Sequence, residues 1–127
     1  MNIPLKMGIP EWEFRVVFGT TRIEYDPTKD AANLEKHGYS LQFAASLLER
    51  VLLGFGAKAP YALSDGFAEG GEVRHMHLCT DDSGKVVLMV TTMRPDESVR
   101  VISLRRASSS ERDRLFKLTG YREKADL

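Results

Sequence analysis

Apolar and polar residues alternate from Trp12 to Phe18, with Trp12, Phe14, Val16 and Phe18 in one register and Glu13, Arg15 and Val17 in the other. A period of two is that of a β-strand with one buried face, and this segment is expected to add a strand at a sheet edge. Arg22 to Tyr25 predicts a second short strand. Asp26 followed by Pro27 then has the form of a helix start, with a carboxylate to bond free backbone N–H groups and a proline at the first helical position. Gly38 readily takes the left-handed conformation that ends helices, so this helix stops near His37. Ser40 caps a second helix, in which Leu41, Ala44, Ala45 and Leu48 recur at i, i+3, i+4 and i+7 as a core-facing stripe. Val51 to Phe55 is compatible with a strand, and Gly56 to Gly71, rich in Gly, Ala and turn residues without a period, reads as a mobile loop.

The pattern sharpens downstream. Glu72 to Thr80 alternates, Asp81 to Gly84 is a turn, and Val86 to Thr92 is a nearly continuous apolar run suited to a central strand. Pro95 to Ser98 turns the chain again, and Val99 to Arg106 completes an antiparallel meander. Ser108 and Glu111 form a capping box for a last helix through Leu115 and Leu118, ended by Gly120. Two helices, a small antiparallel sheet and one C-terminal helix make this an α+β fold.

The chain has 127 residues, 43% of them hydrophobic and 28% charged, which describes one soluble globular domain able to bury a core of its own. Cys79 is alone and forms no internal disulfide, as expected in a reducing compartment. No apolar run approaches the ~20 residues of a membrane helix, and Met1 to Pro10 lacks the pattern of a signal peptide, so the expected location is the cytoplasm. Eighteen basic and eighteen acidic residues cancel overall, which argues against wholesale electrostatic binding to nucleic acid or lipid. The balance is uneven, however. Residues 1–93 hold nine Lys or Arg against twelve Asp or Glu, and residues 94–127 hold nine against six, so a local basic patch remains open.

Three groupings carry candidate chemistry. On the first helix, Lys29, Asn33 and Lys36 fall in a narrow stripe with His37 at its edge, and Leu34 and Ala31 lie on the other side. The stripe reads either as a solvated face opposite a core face or as a phosphate-facing surface beside a titratable imidazole. In the meander, simple alternation places Thr92, Arg94, Ser103 and Arg105 on one face, with Arg100 and Arg106 facing the other way. A slip of one residue would exchange these faces. Arginines at strand ends are either stem-packed and solvated or, where several converge, suited to pairing with phosphate oxygens. His75, His77 and Cys79 also share a strand face, which opens a metal-dependent reading. Cys79 is about 13 Å from His75 along an extended strand, too far for the three to form one site, and no metal is expected.

Two stretches resemble the BrnT family, the ribonuclease half of bacterial BrnT/BrnA toxin–antitoxin pairs. One is IEYDPTKDAANLEKHGYSLQFAASLL, Ile23 to Leu48; the other runs from Arg74 through Gly84, Thr92 and Arg94 to RVISLRRASSSER, Arg100 to Arg112. The resemblance implies a RelE-like α+β fold and metal-independent, cofactor-free RNA cleavage in the cytoplasm. It also implies a BrnA-like ribbon-helix-helix antitoxin that masks the toxin, with promoter DNA bound only through that complex, no membrane association, and a homodimer as an open option. Matched residue by residue, its basic positions are Lys36, His37, Arg74, Arg94, Arg100 and Arg105; Thr92, Ser103 and Glu111 match as well, Glu111 having a capping role that already explains it.

The resulting expectation is that His37, Arg94 and Arg105 are catalytic and that Lys29, Lys36, Arg74, Thr92 and Arg100 bind substrate. Met1 to Arg22 precedes the usual family start and is expected to be an extension before a toxin domain of residues 23–127. Gln42 and Phe43 stand where the family commonly has an acidic pair, and Thr91 where it commonly has a histidine. These departures and the neutral charge keep open a catalytically inactive domain of the same fold that binds a partner protein or nucleic acid.

Overall fold

The computed structural model describes residues 5–7, 23–53, 60–64, 66–94 and 98–127. Its elements in chain order are β1 (Leu5–Met7), β2 (Ile23–Tyr25), α1 (Pro27–His37), α2 (Leu41–Leu53), β3 (Ala62–Ser64), β4 (Phe67–Glu69), β5 (Glu72–Thr80), β6 (Val86–Met93), β7 (Val99–Arg106) and α3 (Ser109–Thr119), followed by a short 3₁₀ turn at Lys124–Asp126. Among the described residues the strands form one sheet in the order β1-β3-β5-β6-β7-β2, with β4 paired to β5. The fold is α+β, and the meander β5-β6-β7 is antiparallel as expected.

The sheet is nevertheless mixed, because β2 pairs with β7 in parallel, Ile23 opposite Val99 and Tyr25 opposite Val101. A parallel pair needs a crossover, and here residues 26–98, with α1, α2 and β3 to β6, supply it. Two corrections concern the middle of the chain. Val51 to Leu53 continues α2 instead of starting a strand, because its apolar residues extend the stripe begun at Leu41. Within the segment read as a loop, Ala62–Ser64 and Phe67–Glu69 are short strands on β5; three residues are too few for a period to show. The alternation at residues 12–18, the turn at 95–97, and residues 54–59 lie outside the described residues.

The sheet is covered on both faces. On one, Leu41, Ala44, Leu47 and Leu48 of α2 pack on Leu63, Cys79, Val87, Met89, Val99, Val101 and Leu104. On the other, Leu115 of α3 packs on Ala62, Leu78, Val86, Leu88 and Ala107. Burying a leucine such as Leu48 or Leu115, both fully enclosed, contributes about 1.5–3 kcal/mol. Farther along the face that α3 covers, the ends of β5, β6 and β7 carry the polar side chains of Arg74, Thr92 and Arg100.

Caps set the helix ends. Asp26 accepts from the Thr28 N–H at 2.9 Å, and Gly38, at φ 79°, ends α1 with its N–H on the Leu34 carbonyl. Ser40 accepts from the Phe43 N–H at 2.9 Å, and Asp30 reaches across from α1 to accept from the Leu41 and Gln42 N–H groups at 2.7 and 3.2 Å. That carboxylate fixes the angle between α1 and α2. The Ser108–Glu111 capping box forms as expected. Behind α3, Glu123 is 3% exposed, accepts from the Val86 N–H at 2.6 Å and from Arg106 at 2.7 Å, and forms an ion pair with Arg112 at 3.5 Å, tying the C-terminal segment to the sheet.

Candidate functional site

Arg74, Thr92 and Arg100 sit side by side on three neighbouring strands, and Glu24 of β2 extends the row, since Arg74 is opposite Thr92, Thr92 opposite Arg100, and Arg100 opposite Glu24. Side chains opposite one another share a face of the sheet. Val90 pairs with Ser103 but Thr91 with Val101, so Ile102 is an extra residue in β7. This bulge reverses the alternation. Arg100, Ser103 and Arg105 therefore lie on one face with Thr92, which corrects the expectation that Arg100 faces away; Arg106, opposite Val87, does lie on the other face. Sequence alternation alone has no signal for the extra residue.

α1 supplies the second half of the site. β2 ends at Tyr25, opposite Val101, so the edge of β7 beyond it has lost its strand partner. Asn33 replaces that partner: its Nδ2 donates to the Leu104 carbonyl at 2.9 Å and to the Tyr39 carbonyl at 2.7 Å, and its Oδ1 accepts from the Leu104 N–H at 3.4 Å. Asn33 is consequently 7% exposed and Leu34 52% exposed, the reverse of a core face carried by Leu34 and Ala31. An edge of unpaired backbone groups attracts an amide more strongly than a leucine, because buried polar groups must be bonded.

Pinning Asn33 against Leu104 places its helical successor by one turn, His37, near the residue after Leu104, Arg105. His37 is half-buried and its pKa is lowered from the ordinary value, first by desolvation, then by the positive charges of Lys36 and Arg105. The imidazole is thus held neutral near pH 7, the form that accepts a proton. Lys36 is exposed beside it, and Lys29 is exposed two turns earlier.

Arg105 is held by Glu111, with Nη1 and Nη2 donating to the two carboxylate oxygens at 2.8 and 2.9 Å and Nη1 also to the Arg106 carbonyl at 3.0 Å. This paired bond raises the Arg105 pKa, opposed by desolvation; at Glu111 desolvation pushes the carboxyl up, and the Arg105 bond and charge together with the bonds from Ser108 overcome it, holding the carboxyl below its usual range. Glu111 thus orients Arg105 as well as closing the capping box, where its Oε1 accepts from the Ser108 N–H. At the other end of the face, Arg94 and Arg100 share one carboxylate, Glu24, each at 3.4 Å. Arg74 lies 3.4 and 3.9 Å from Glu72 and Glu69. Thr92 is 2% exposed and its hydroxyl donates to the Val73 carbonyl at 2.8 Å, so it supports the row from beneath.

The expected residues therefore divide into two groups. His37, Lys36 and Arg105 gather where α1 meets β7, and Arg94, Arg100, Arg74 and Thr92 gather around the Glu24 row. Thr92 and Leu88, the residues of β6 opposite Arg100 and Arg105, are four positions apart, which is about 13 Å of strand. Asn33 and Glu24, which organise the two groups, were not singled out as site residues. Asn33 carried a signal in the stripe it shares with Lys29 and Lys36, and Glu24 carried none.

His75, His77 and Cys79 lie on the opposite face, toward α2, as their pairing with Thr91, Met89 and Val87 requires. His77 is fully buried, with Nδ1 on the Tyr61 hydroxyl and Nε2 on the Thr91 hydroxyl, both at 2.8 Å. Burial pushes its pKa down to about 3 and that of the Cys79 thiol up to about 12. Both ring nitrogens are engaged by hydroxyls, so the geometry does not favour a metal there. No helix among the described residues is long and apolar enough to cross a membrane.

Residues 25–111 match the family described as ribonuclease toxin, BrnT, of type II toxin-antitoxin systems. The chain is also similar to the 1.1 Å crystal structure of the Brucella abortus ribonuclease toxin BrnT, with 22% identity and a TM-score of 0.47, covering 71% of this chain and 100% of that one. No curated protein sequence matches it.

Proposed function

The chain belongs to the BrnT family of ribonuclease toxins of type II toxin–antitoxin systems, and from that premise we propose that it cleaves RNA without a metal ion at the junction of α1 and β7. The observation that carries this reading is the two-way bonding of Asn33, one helical turn before His37, to Leu104, the residue before Arg105, whose charge reaches the imidazole. His37 accepts the proton of a ribose 2′-hydroxyl as its oxygen attacks the adjacent phosphorus. The bond from phosphorus to the 5′ oxygen breaks, and the imidazolium just formed returns its proton to that departing oxygen, leaving a 2′,3′-cyclic phosphate and a 5′-hydroxyl. Arg105 and Lys36 offset the negative charge that builds on the phosphoryl oxygens. Lys29, Arg74, Thr92 and Arg100 serve substrate binding directly or from beneath. Arg94, expected to share the phosphate with Arg105, is held instead on Glu24.

The toxin domain spans residues 23–127, preceded by an extension. Growth inhibition in the cytoplasm and neutralisation by a ribbon-helix-helix antitoxin complete the proposal. The test is incubation of RNA with the purified protein in excess EDTA, alongside His37→Ala and Arg105→Ala. Cleavage by the parent and its loss in both variants are expected; no cleavage by the parent in EDTA, or equal cleavage by all three, defeats the assignment. Growth arrest on expression, relieved by a ribbon-helix-helix partner, tests the biological half.

One observation favours a second reading, a non-catalytic domain that binds a partner: the guanidinium groups of Arg105, Arg94 and Arg100 already face carboxylates. The departure at Thr91 adds nothing to it, since that side chain is 1% exposed and bonds His77 on the face away from these arginines.

A further inference from the structure

The two basic groups on this face of the sheet are too far apart to act on one phosphate. Arg94 and Arg100 converge on the single carboxylate of Glu24, so among the described residues two positive charges meet one negative. The guanidinium Nε of Arg100 is buried with no hydrogen-bond partner, and the side chains of Arg94 and Arg100 remain 37% and 36% exposed. This group has surplus charge and open access. Arg105, four residues along the same face, leans away toward Glu111 at the start of α3. Lys29 is exposed on α1 one turn before Asn33. A second structural role does not account for the arrangement: ion pairs this exposed contribute little to stability, ~0–1 kcal/mol, and one arginine would have sufficed to neutralise Glu24.

We propose that Arg94 and Arg100, gathered on Glu24, form a second phosphate subsite, so that the protein engages an RNA strand over several nucleotides. The offset of about 13 Å, against the ~3.4 Å of axis per nucleotide in a stacked strand, corresponds to roughly four nucleotides. The subsite contacts backbone oxygens, which fixes position along the strand without reading sequence. This inference rests on the RNA-cleaving reading above and adds to it a minimum substrate length.

The experiment uses the full chain and a nested set of single-stranded oligoribonucleotides, trimmed from a cleaved RNA to between two and ten nucleotides around the cleaved step. In the parent protein kcat/KM should step upward by on the order of tenfold once the strand reaches about four nucleotides beyond that step. In the Arg94→Ala/Arg100→Ala double variant, the ratio of long-strand to short-strand kcat/KM should fall toward one. Binding of a non-cleavable 2′-deoxy ten-mer, followed by fluorescence anisotropy, should lose about 1–2 from its salt slope. Glu24→Gln, which frees both arginines, should tighten that binding. Lys117→Ala, which removes an exposed lysine on α3, should keep the length step, separating the effect from loss of any surface charge. Persistence of the step and of the salt slope in the double variant overturns the subsite. If the parent cleaves no oligonucleotide of any length, the catalytic reading fails, and the anisotropy of the ten-mer still decides whether the arginines bind a strand.

Discussion

The side-chain amide of Asn33 and the backbone of Leu104 are bonded in both directions, carbonyl to Nδ2 at 2.9 Å and N–H to Oδ1 at 3.4 Å. An amide from a helix has taken the place of a strand, and a third bond, to the Tyr39 carbonyl, holds the turn after α1. Asn33→Ala should cost about 1–3 kcal/mol, since the Leu104 groups are left buried and unpaired. It should also abolish RNA cleavage at temperatures where the variant is still folded. Urea denaturation and cleavage assays on one preparation check both; an Asn33→Ala protein with parental activity would show that α1 needs no such pin.

The pH dependence follows from His37. Its pKa lies below the ordinary value of about 6.5, and as a general base it works only when neutral. The acid limb of the kcat/KM profile should therefore fall below pH 6.5, with activity full at pH 7 and lost as pH drops through the lowered value. His37→Ala should reduce the rate by roughly 10²- to 10⁴-fold. An acid limb above 6.5, or one that survives the substitution, assigns the base elsewhere.

Arg105 and Glu111 should separate chemistry from stability. Arg105→Ala should slow cleavage by about 10²- to 10³-fold while moving stability by no more than about 1 kcal/mol, since the pair is partly exposed. Glu111→Gln retains a side chain that can close the capping box but loses the charged fork on Arg105. It should keep its melting temperature to within a few degrees and still lose activity. A Glu111→Gln protein as active as the parent would reduce Glu111 to its cap.

Stability itself should depend on His77 below neutral pH. With its folded pKa at about 3 and its unfolded value near 6.5, the unfolded chain takes up a proton that the native protein refuses. Stability is complete above pH 6.5 and declines as pH falls from there toward 3. The urea midpoint should drop between pH 7.5 and 5, and His77→Gln should flatten that slope. An unchanged slope in the variant assigns the acid sensitivity to other groups.

Glu123 offers the contrasting case on the far side of α3. Removing a carboxylate that is 3% exposed and bonded to Arg106 and the Val86 N–H strands those donors and takes away an ion-pair partner of Arg112. Glu123→Ala should cost about 2–4 kcal/mol, against about 1 kcal/mol for Ser108→Ala at the helix cap. Equal urea midpoints for the two variants would contradict the ranking.

Much of this architecture was legible in the sequence where the governing physics is local. The Asp26-Pro27 start, the Gly38 and Gly120 stops, the Ser108–Glu111 box and the alternation of β5 depend on neighbours a few positions away. What was illegible depends on partners far along the chain. The parallel pairing of β2 with β7, the burial of Asn33 and the exposure of Leu34 are all decided by which edge is left open after folding. The site shows the same division. His37, Lys36 and Arg105 were each readable as residues, whereas the sharing of Glu24 by two arginines and the four-residue offset between the groups needed the bulge at Ile102, which leaves no mark on composition or period.

The parallel register of β2 on β7 carries a consequence for how the protein comes into being. Ile23 meets Val99, so the pairing at this edge of the sheet joins β2 to a strand that follows α1, α2 and β3 to β6 along the chain. While a ribosome is still synthesising the chain, the α1 segment exists without its strand, and His37 without Arg105. Contacts of such long sequence separation form late and slowly. The proposed cleavage site is therefore completed only once β7 has been made.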